Sequence, residues 1–148
     1  MKIHNLTNTI VHGINHVSVP EGVEALYLYG SALSGRLRCD SDIDIALLSS
    51  HEIEPFCRLE LISKVEALTA SLIKPSGFEY PVSVLDLRGK YISFELQYTV
   101  ITEGKLIFER DKVQRYEFEN AVKRDYFDFI PYLRLLRKKK YGQLLQKV

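Results

Sequence analysis

Glycine and proline are sparse in this chain of 148 residues, at 8 and 5 copies, which excludes a collagen-like, low-complexity or linker-dominated organisation. Cysteine is sparser still. Cys39 and Cys57 form no CxxC spacing and have no histidine partner nearby, so neither a zinc site nor a disulfide framework organises the protein, and a reducing, cytoplasmic setting is expected. No segment approaches the ~20 consecutive apolar residues of a membrane span. The run from Met1 to Asn8 is broken by polar residues and lacks the apolar stretch of a signal peptide, so a soluble protein without a membrane partner is expected. Excess charge is missing too: 20 basic against 19 acidic residues leave +1, and no overall field recommends nucleic acid or an anionic surface as the partner. The distribution is less even than the sum. Six basic residues and no acid fall between Arg134 and Val148, which leaves 14 basic against 19 acidic before them.

What is present is ordinary globular material, 46% apolar and 26% charged, at the length of one domain. Residues 1–148 are therefore expected to form a single unit, with an aromatic and basic helical segment over 111–148. Ile3, Leu6, Ile10, Val11 and Ile14 recur at helical spacing and predict a helix over 3–15. A strand over 24–29 runs into the small residues Gly30 to Gly35, which allow a tight turn and a helix start. Residues 42–48 read as a second strand. Leu59, Ile62, Val65, Ala67, Leu68, Leu72 and Ile73 form a helical stripe bounded by Pro55 and Pro75. A third strand over 81–87, a helix over 93–103 stopped by Gly104, and an extended piece over 105–109 follow. The last helix begins near Asp111 and is expected to kink or break at Pro131. Strands alternating with helices predict an α/β (α+β) class, a small mixed sheet with helices on one face.

Chemistry concentrates between residues 30 and 44: Gly30 and Ser31, ten intervening residues, then Asp42-Ile43-Asp44. Side chains two apart on a strand leave the same face, so the carboxylates of Asp42 and Asp44 can meet a cation together. Hard oxygen ligands of this kind suit Mg²⁺, which commonly takes one or two protein carboxylates plus substrate phosphates. At the other end, Gly30 lets a triphosphate approach the backbone, Ser31 offers a hydroxyl, and the following helix start directs N–H groups at the anion. Arg36 and Arg38 lie in the connecting loop, either gripping a phosphate or solvated. Nucleotidyl transfer is the implied reaction.

Gly30-Ser31, ten residues and Asp42-Ile43-Asp44 together resemble the signature of the DNA polymerase β-like nucleotidyltransferase superfamily, and the short chain is similar to its minimal nucleotidyltransferase (MNT) branch. The run Val82 to Arg88, the helix after it, Glu103 to Phe108 and the Tyr-rich helix from Asp111 resemble MNT antitoxins paired with HEPN-domain toxins. That resemblance implies a nucleotidyltransferase fold, with Gly30, Ser31, Gly35 and Arg36 on the nucleotide and Asp42 and Asp44 on Mg²⁺. It also implies transfer of AMP from ATP to a tyrosine of a HEPN-domain ribonuclease, which neutralises that toxin in a hetero-oligomer. The family commonly adds a third metal-facing carboxylate near the start of the third strand. Alignment of that run puts Ser83 at its first aspartate and Asp86 at its second, which makes Asp86 the third catalytic candidate. Positions 83 and 86 differ by an odd number, so only a bulge or a strand end would aim Asp86 at the site. A weakly active or inactive antitoxin that caps its toxin is one alternative, and a small-molecule, antibiotic-modifying nucleotidyltransferase is another.

The remaining motifs read more plainly. His4, His12, His16 and His51 have no partner at ligand spacing and read as surface or helix-face residues. Ser31 lacks the Gly-x-Ser-x-Gly elbow of a hydrolase. Tyr116, Phe118, Tyr126, Phe127, Phe129, Tyr132 and Tyr141 outnumber what one helix face can bury, so some are expected at the surface, either docking a partner or packing the core. The run Arg137 to Lys140 is too short for nucleic-acid recognition, and no direct nucleic-acid binding is expected.

Overall fold

The structure, a computed structural model, describes residues 3–34, 42–77 and 80–146. Helix α1 (Ile3–Ile14) forms on the repeat of Leu6, Ile10 and Ile14, one apolar residue per turn, and all three are buried. Their burial contributes about 5–9 kcal/mol before chain entropy is counted. Strand β1 (Val23–Tyr29) then ends at Gly30, where φ of +76° turns the chain into one helical turn, α2 (Ser31–Ser34). Strand β2 (Ile43–Ser49), helix α3 (Pro55–Ile73), strand β3 (Val82–Asp86), helix α4 (Phe94–Glu103), strand β4 (Lys105–Glu109) and helix α5 (Lys112–Gln146) complete the order. Pro55 sits in the first turn of α3, where no donor is needed. Ser93 caps α4 by accepting the Leu96 N–H at 3.1 Å.

The sheet runs β3-β2-β1-β4. β1 is antiparallel to both β2 and β4, whereas β2 and β3 are parallel. The mixed sheet of an α+β protein is therefore as expected, but its helices are not confined to one face. Val23, Leu26 and Leu28 of β1 and Ile43, Ile45 and Leu47 of β2 pack beneath α1 and α3. On the other side Ala25, Tyr27, Ala46 and Leu48 meet Val100 of α4 and Phe118 of α5. The reason lies in the strands themselves. β1 and β2 are apolar at nearly every position, so both of their faces need cover. A bulge between Val23 and Ala25 shifts the alternation of β1 without exposing either face.

Two helices depart from the expected pattern. On α3 the buried row is Leu61, Val65, Thr69 and Ile73, while Leu59 points largely to solvent. Strict four-residue spacing selected that row, and Thr69 joins it because its hydroxyl donates to the Val65 carbonyl at 2.9 Å. α5 continues through Pro131 instead of breaking there. The carbonyl that Pro131 leaves without a donor belongs to Phe127, in a stretch exposed enough for water to satisfy it.

The first turns of α5 are clasped to the sheet. Tyr27, buried in the middle of β1, donates its hydroxyl to Glu119 at 2.6 Å, and Arg115 bridges Glu119 at 2.9 Å and Glu109 at 2.5 Å. Burial first, then the bond to the Glu119 carboxylate, drives the Tyr27 hydroxyl far above its ordinary pKa. The shift favours the protonated phenol that donates this bond. The expected surface aromatics are present further along α5, where Phe127, Tyr132 and Tyr141 are exposed together with Leu135 and Leu136.

Candidate functional site

Asp42 lies one residue before β2, and Asp44 is the second residue of that strand. Across the sheet Asp44 is in register with Tyr29, the last residue of β1, so its carboxylate comes to the turn at Gly30. The approach is close: a methyl group on Gly30 would overlap Asp44 Oδ2. Glycine is thus required at position 30 twice, once for the positive φ and once for the space that the carboxylate fills. The Leu33 N–H closes the turn onto the Gly30 carbonyl at 3.2 Å.

Electrostatics show the same convergence. Partial burial, and then the nearby charge of Asp42, push the Asp44 carboxyl above its ordinary pKa. Burial and the Asp44 charge push the Tyr29 phenol up in turn. A carboxylate whose ionisation is opposed by a second carboxylate nearby forms with it a donor set that a divalent cation relieves, and the hard oxygens of the two match Mg²⁺. Asp42 and Asp44 are therefore the residues that could hold it. Among the described residues no third His, Cys, Asp or Glu joins them at ligand spacing.

The structure brings Gly30, Ser31 and Asp44 to one end of the β1–β2 pair, with Asp42 close enough to act on Asp44. Gly35 and Arg36, like Arg38, lie outside the described residues. The turn α2 is four residues long, so its first amides, and not a summed helix dipole, are what it offers an anion.

Asp86 is not brought to this place. The parallel pairing of β2 and β3 runs without irregularity, setting Ser83 opposite Asp44 and Asp86 opposite Leu47, three positions further on. The odd spacing turns Asp86 to the other face of the sheet, where it is buried and fully engaged. It accepts the Ser49 hydroxyl at 3.0 Å and the Arg88 N–H at 3.0 Å, with the Arg58 guanidinium 3.6 Å away. Asp86 as a catalytic carboxylate is thereby corrected: it ties the ends of β2 and β3 to α3. Arg88 completes this knot by donating from Nε to the Ser49 carbonyl at 2.7 Å while its guanidinium lies over Phe118.

One feature escaped the sequence reading. A cleft of about 410 Å³ opens beside the turn, lined by Tyr29, Gly30, Leu33, Thr99 and Glu103. Thr99 and Glu103 are four residues apart on α4 and so share a face, but only the packing of α4 on the β1 side of the sheet brings them to Gly30.

Fold and site together define a nucleotidyltransferase. The sequence pattern of the family described as "Polymerase beta, Nucleotidyltransferase" matches residues 14–113, and the chain belongs to that family. No curated protein sequence matches the chain. Among solved structures, it is similar to a chain from a toxin–antitoxin complex with AMP-PNP, at 23% identity and a TM-score of 0.56, covering 93% of this chain and 97% of that one. It is also similar to a chain from the tri-AMPylated HEPN toxin of Shewanella oneidensis in complex with its MNT antitoxin, at 22% identity and a TM-score of 0.53, covering 97% and 98%. A chain from the MntA–HepT toxin–antitoxin is similar at 21% identity and a TM-score of 0.52, covering 96% and 98%. At these identities the likeness is one of fold. The resemblance to the MNT branch is matched by these neighbours. Among the described residues no helix is long and apolar enough to cross a membrane.

Proposed function

We propose that the protein is an antitoxin-type adenylyltransferase that transfers AMP from ATP to a tyrosine of a HEPN-domain toxin and thereby silences it. The observation that carries this reading is the Asp44 carboxylate seated against the Gly30 turn, with the charge of Asp42 acting on it. Gly30 and Ser31 receive the phosphates, while Asp42 and Asp44 hold Mg²⁺, which when bound offsets negative charge on the phosphates. The work of the chain is positioning. The rigid β1–β2 pair fixes the carboxylates relative to the turn, so the α-phosphorus is presented to a tyrosine oxygen in line with the departing pyrophosphate. The bond from α-phosphorus to the bridging oxygen breaks as the new P–O bond to tyrosine forms, and the phenol proton passes to solvent. Gly35 and Arg36 remain further nucleotide-binding residues in this reading. The toxin docks on the outer half of α5, where Tyr132, Leu135, Leu136 and Tyr141 are exposed, and the pair works in the cytoplasm.

A second reading has its own observation. Ser83, not a carboxylate, stands in register opposite Asp44, and no third ligand gathers among the described residues. The protein then binds nucleotide and caps the toxin with little transfer. Labelled ATP, Mg²⁺ and a HEPN partner, tested with wild type, Asp42→Ala and Asp44→Ala, separate the two. Label on the partner that disappears with either substitution supports transfer. Neutralisation that survives both substitutions without label refutes it in favour of capping, and label passing to an aminoglycoside refutes it in favour of small-molecule modification.

A further inference from the structure

We infer that the cleft between β1 and α4 is a ribose subsite and that Glu103 selects ribonucleotides over deoxyribonucleotides. The inference rests on the reading of Gly30 and Asp44 as the phosphate end of a nucleotide site. Gly30 belongs both to that end and to the cleft wall, so a nucleotide with phosphates at the turn has its nucleoside half entering the cleft. A volume of about 410 Å³ falls within the range of small-ligand sites, roughly 300–1,000 Å³.

Apart from the Tyr29 phenol, the polar side chains of the lining only accept hydrogen bonds. Thr99 spends its hydroxyl hydrogen on the Glu95 carbonyl at 2.8 Å, which leaves its oxygen free only to accept. The Glu103 carboxylate also only accepts, and it takes part in none of the ion pairs formed among the described residues. An accepting wall repels a phosphate and suits vicinal hydroxyls, each a donor, as carboxylates elsewhere suit a ribose 2′-hydroxyl. The Tyr29 ring and Leu33 supply the apolar walls of the same cleft.

Helix energetics give Glu103 no reason of its own to be acidic. It is the last residue of α4, where the helix dipole disfavours a negative charge, and the last turn holds no basic residue to offset it.

The test compares binding of ATP and 2′-deoxy-ATP, each with Mg²⁺, by isothermal titration calorimetry on the full chain. Wild type is expected to prefer ATP about tenfold or more, the worth of a hydrogen bond to a charged group. The preference falls to within about twofold in Glu103→Ala and to an intermediate value in Glu103→Gln, whose neutral oxygen still accepts. Both variants change an exposed side chain, and thermal unfolding verifies that they fold. Equal wild-type affinity for the two nucleotides overturns the inference while leaving the nucleotide site standing. A preference that survives in Glu103→Ala also overturns it, including the case in which that variant loses only transfer to the partner, since the residue then serves the acceptor. Absence of any nucleotide binding by wild type overturns the inference together with the reading beneath it.

Discussion

Replacing Gly30 with alanine separates what the turn does for the fold from what it does for the site. The backbone part has a built-in control, because Gly77 has nearly the same conformation, φ +81° against +76°, yet a methyl group there meets nothing within 4 Å. Left-handed φ costs an L-residue about 1–2 kcal/mol, so Gly30→Ala and Gly77→Ala share that loss. It corresponds to a fall in Tm of about 2–8 °C for a domain of this size. Only the methyl at position 30 also overlaps Asp44 Oδ2, forcing the carboxylate to rotate away from the turn. Calorimetric titration of Mg²⁺ and ATP is therefore expected to show wild-type affinity in Gly77→Ala and a loss of about tenfold or more in Gly30→Ala, where a displacement near 1 Å misaligns a pre-set group. Equal nucleotide affinity in the two variants, alongside matched losses in Tm, would refute the claim that this carboxylate and this turn form one site.

Two further substitutions test the electrostatics. Asp44 has a raised pKa in the folded state, so it favours folding below its unfolded pKa, and that contribution is lost as pH rises through the folded value. Asp44→Asn is accordingly expected to raise Tm at pH 7, with the gain vanishing near about pH 3, where the wild-type carboxyl is protonated; thermal melts across that range check both the sign and the window. Asp86→Ala leaves the Ser49 hydroxyl, the Arg88 amide and Arg58 without their shared acceptor, and is expected to cost about 2–4 kcal/mol in urea unfolding. The same variant is expected to retain nucleotide binding, and a selective loss of binding at unchanged stability would return Asp86 to the site.

Much of the frame was legible in the sequence because it rests on local pattern. The apolar row of α1, the strands on either side of the Gly30 turn, the proline at the head of α3 and the glycine that stops α4 each carry their own short-range signal. The spacing from Gly30 to Asp44 was legible for the same reason: a turn and an alternating strand translate directly into a shared place. What depends on distant partners was not. The Tyr27 to Glu119 bond joins residues 92 apart, and nothing near either one announces it. Cover on both sheet faces was missed because unbroken apolar strands do not say which helix lies on which side. Odd spacing did put Asp86 on the far face, and it took the register of β3 against β2 to show what holds it there. The cleft lining escaped because Thr99 and Glu103 gain meaning only from the helix that carries them past Gly30.

The clasp at the root of α5 sets a distance. Glu119 grips the very strand whose far end is Gly30, and α5 spans 35 residues, about 50 Å at 1.5 Å per residue. Its exposed outer turns are therefore carried on a stiff arm instead of a slack tether, and a protein seated on them has a defined reach to the Gly30 turn. Adding or removing residues in that arm would alter the reach by about 1.5 Å and the bearing by about 100° per residue, so in the proposed docking its length counts as much as any side chain on it.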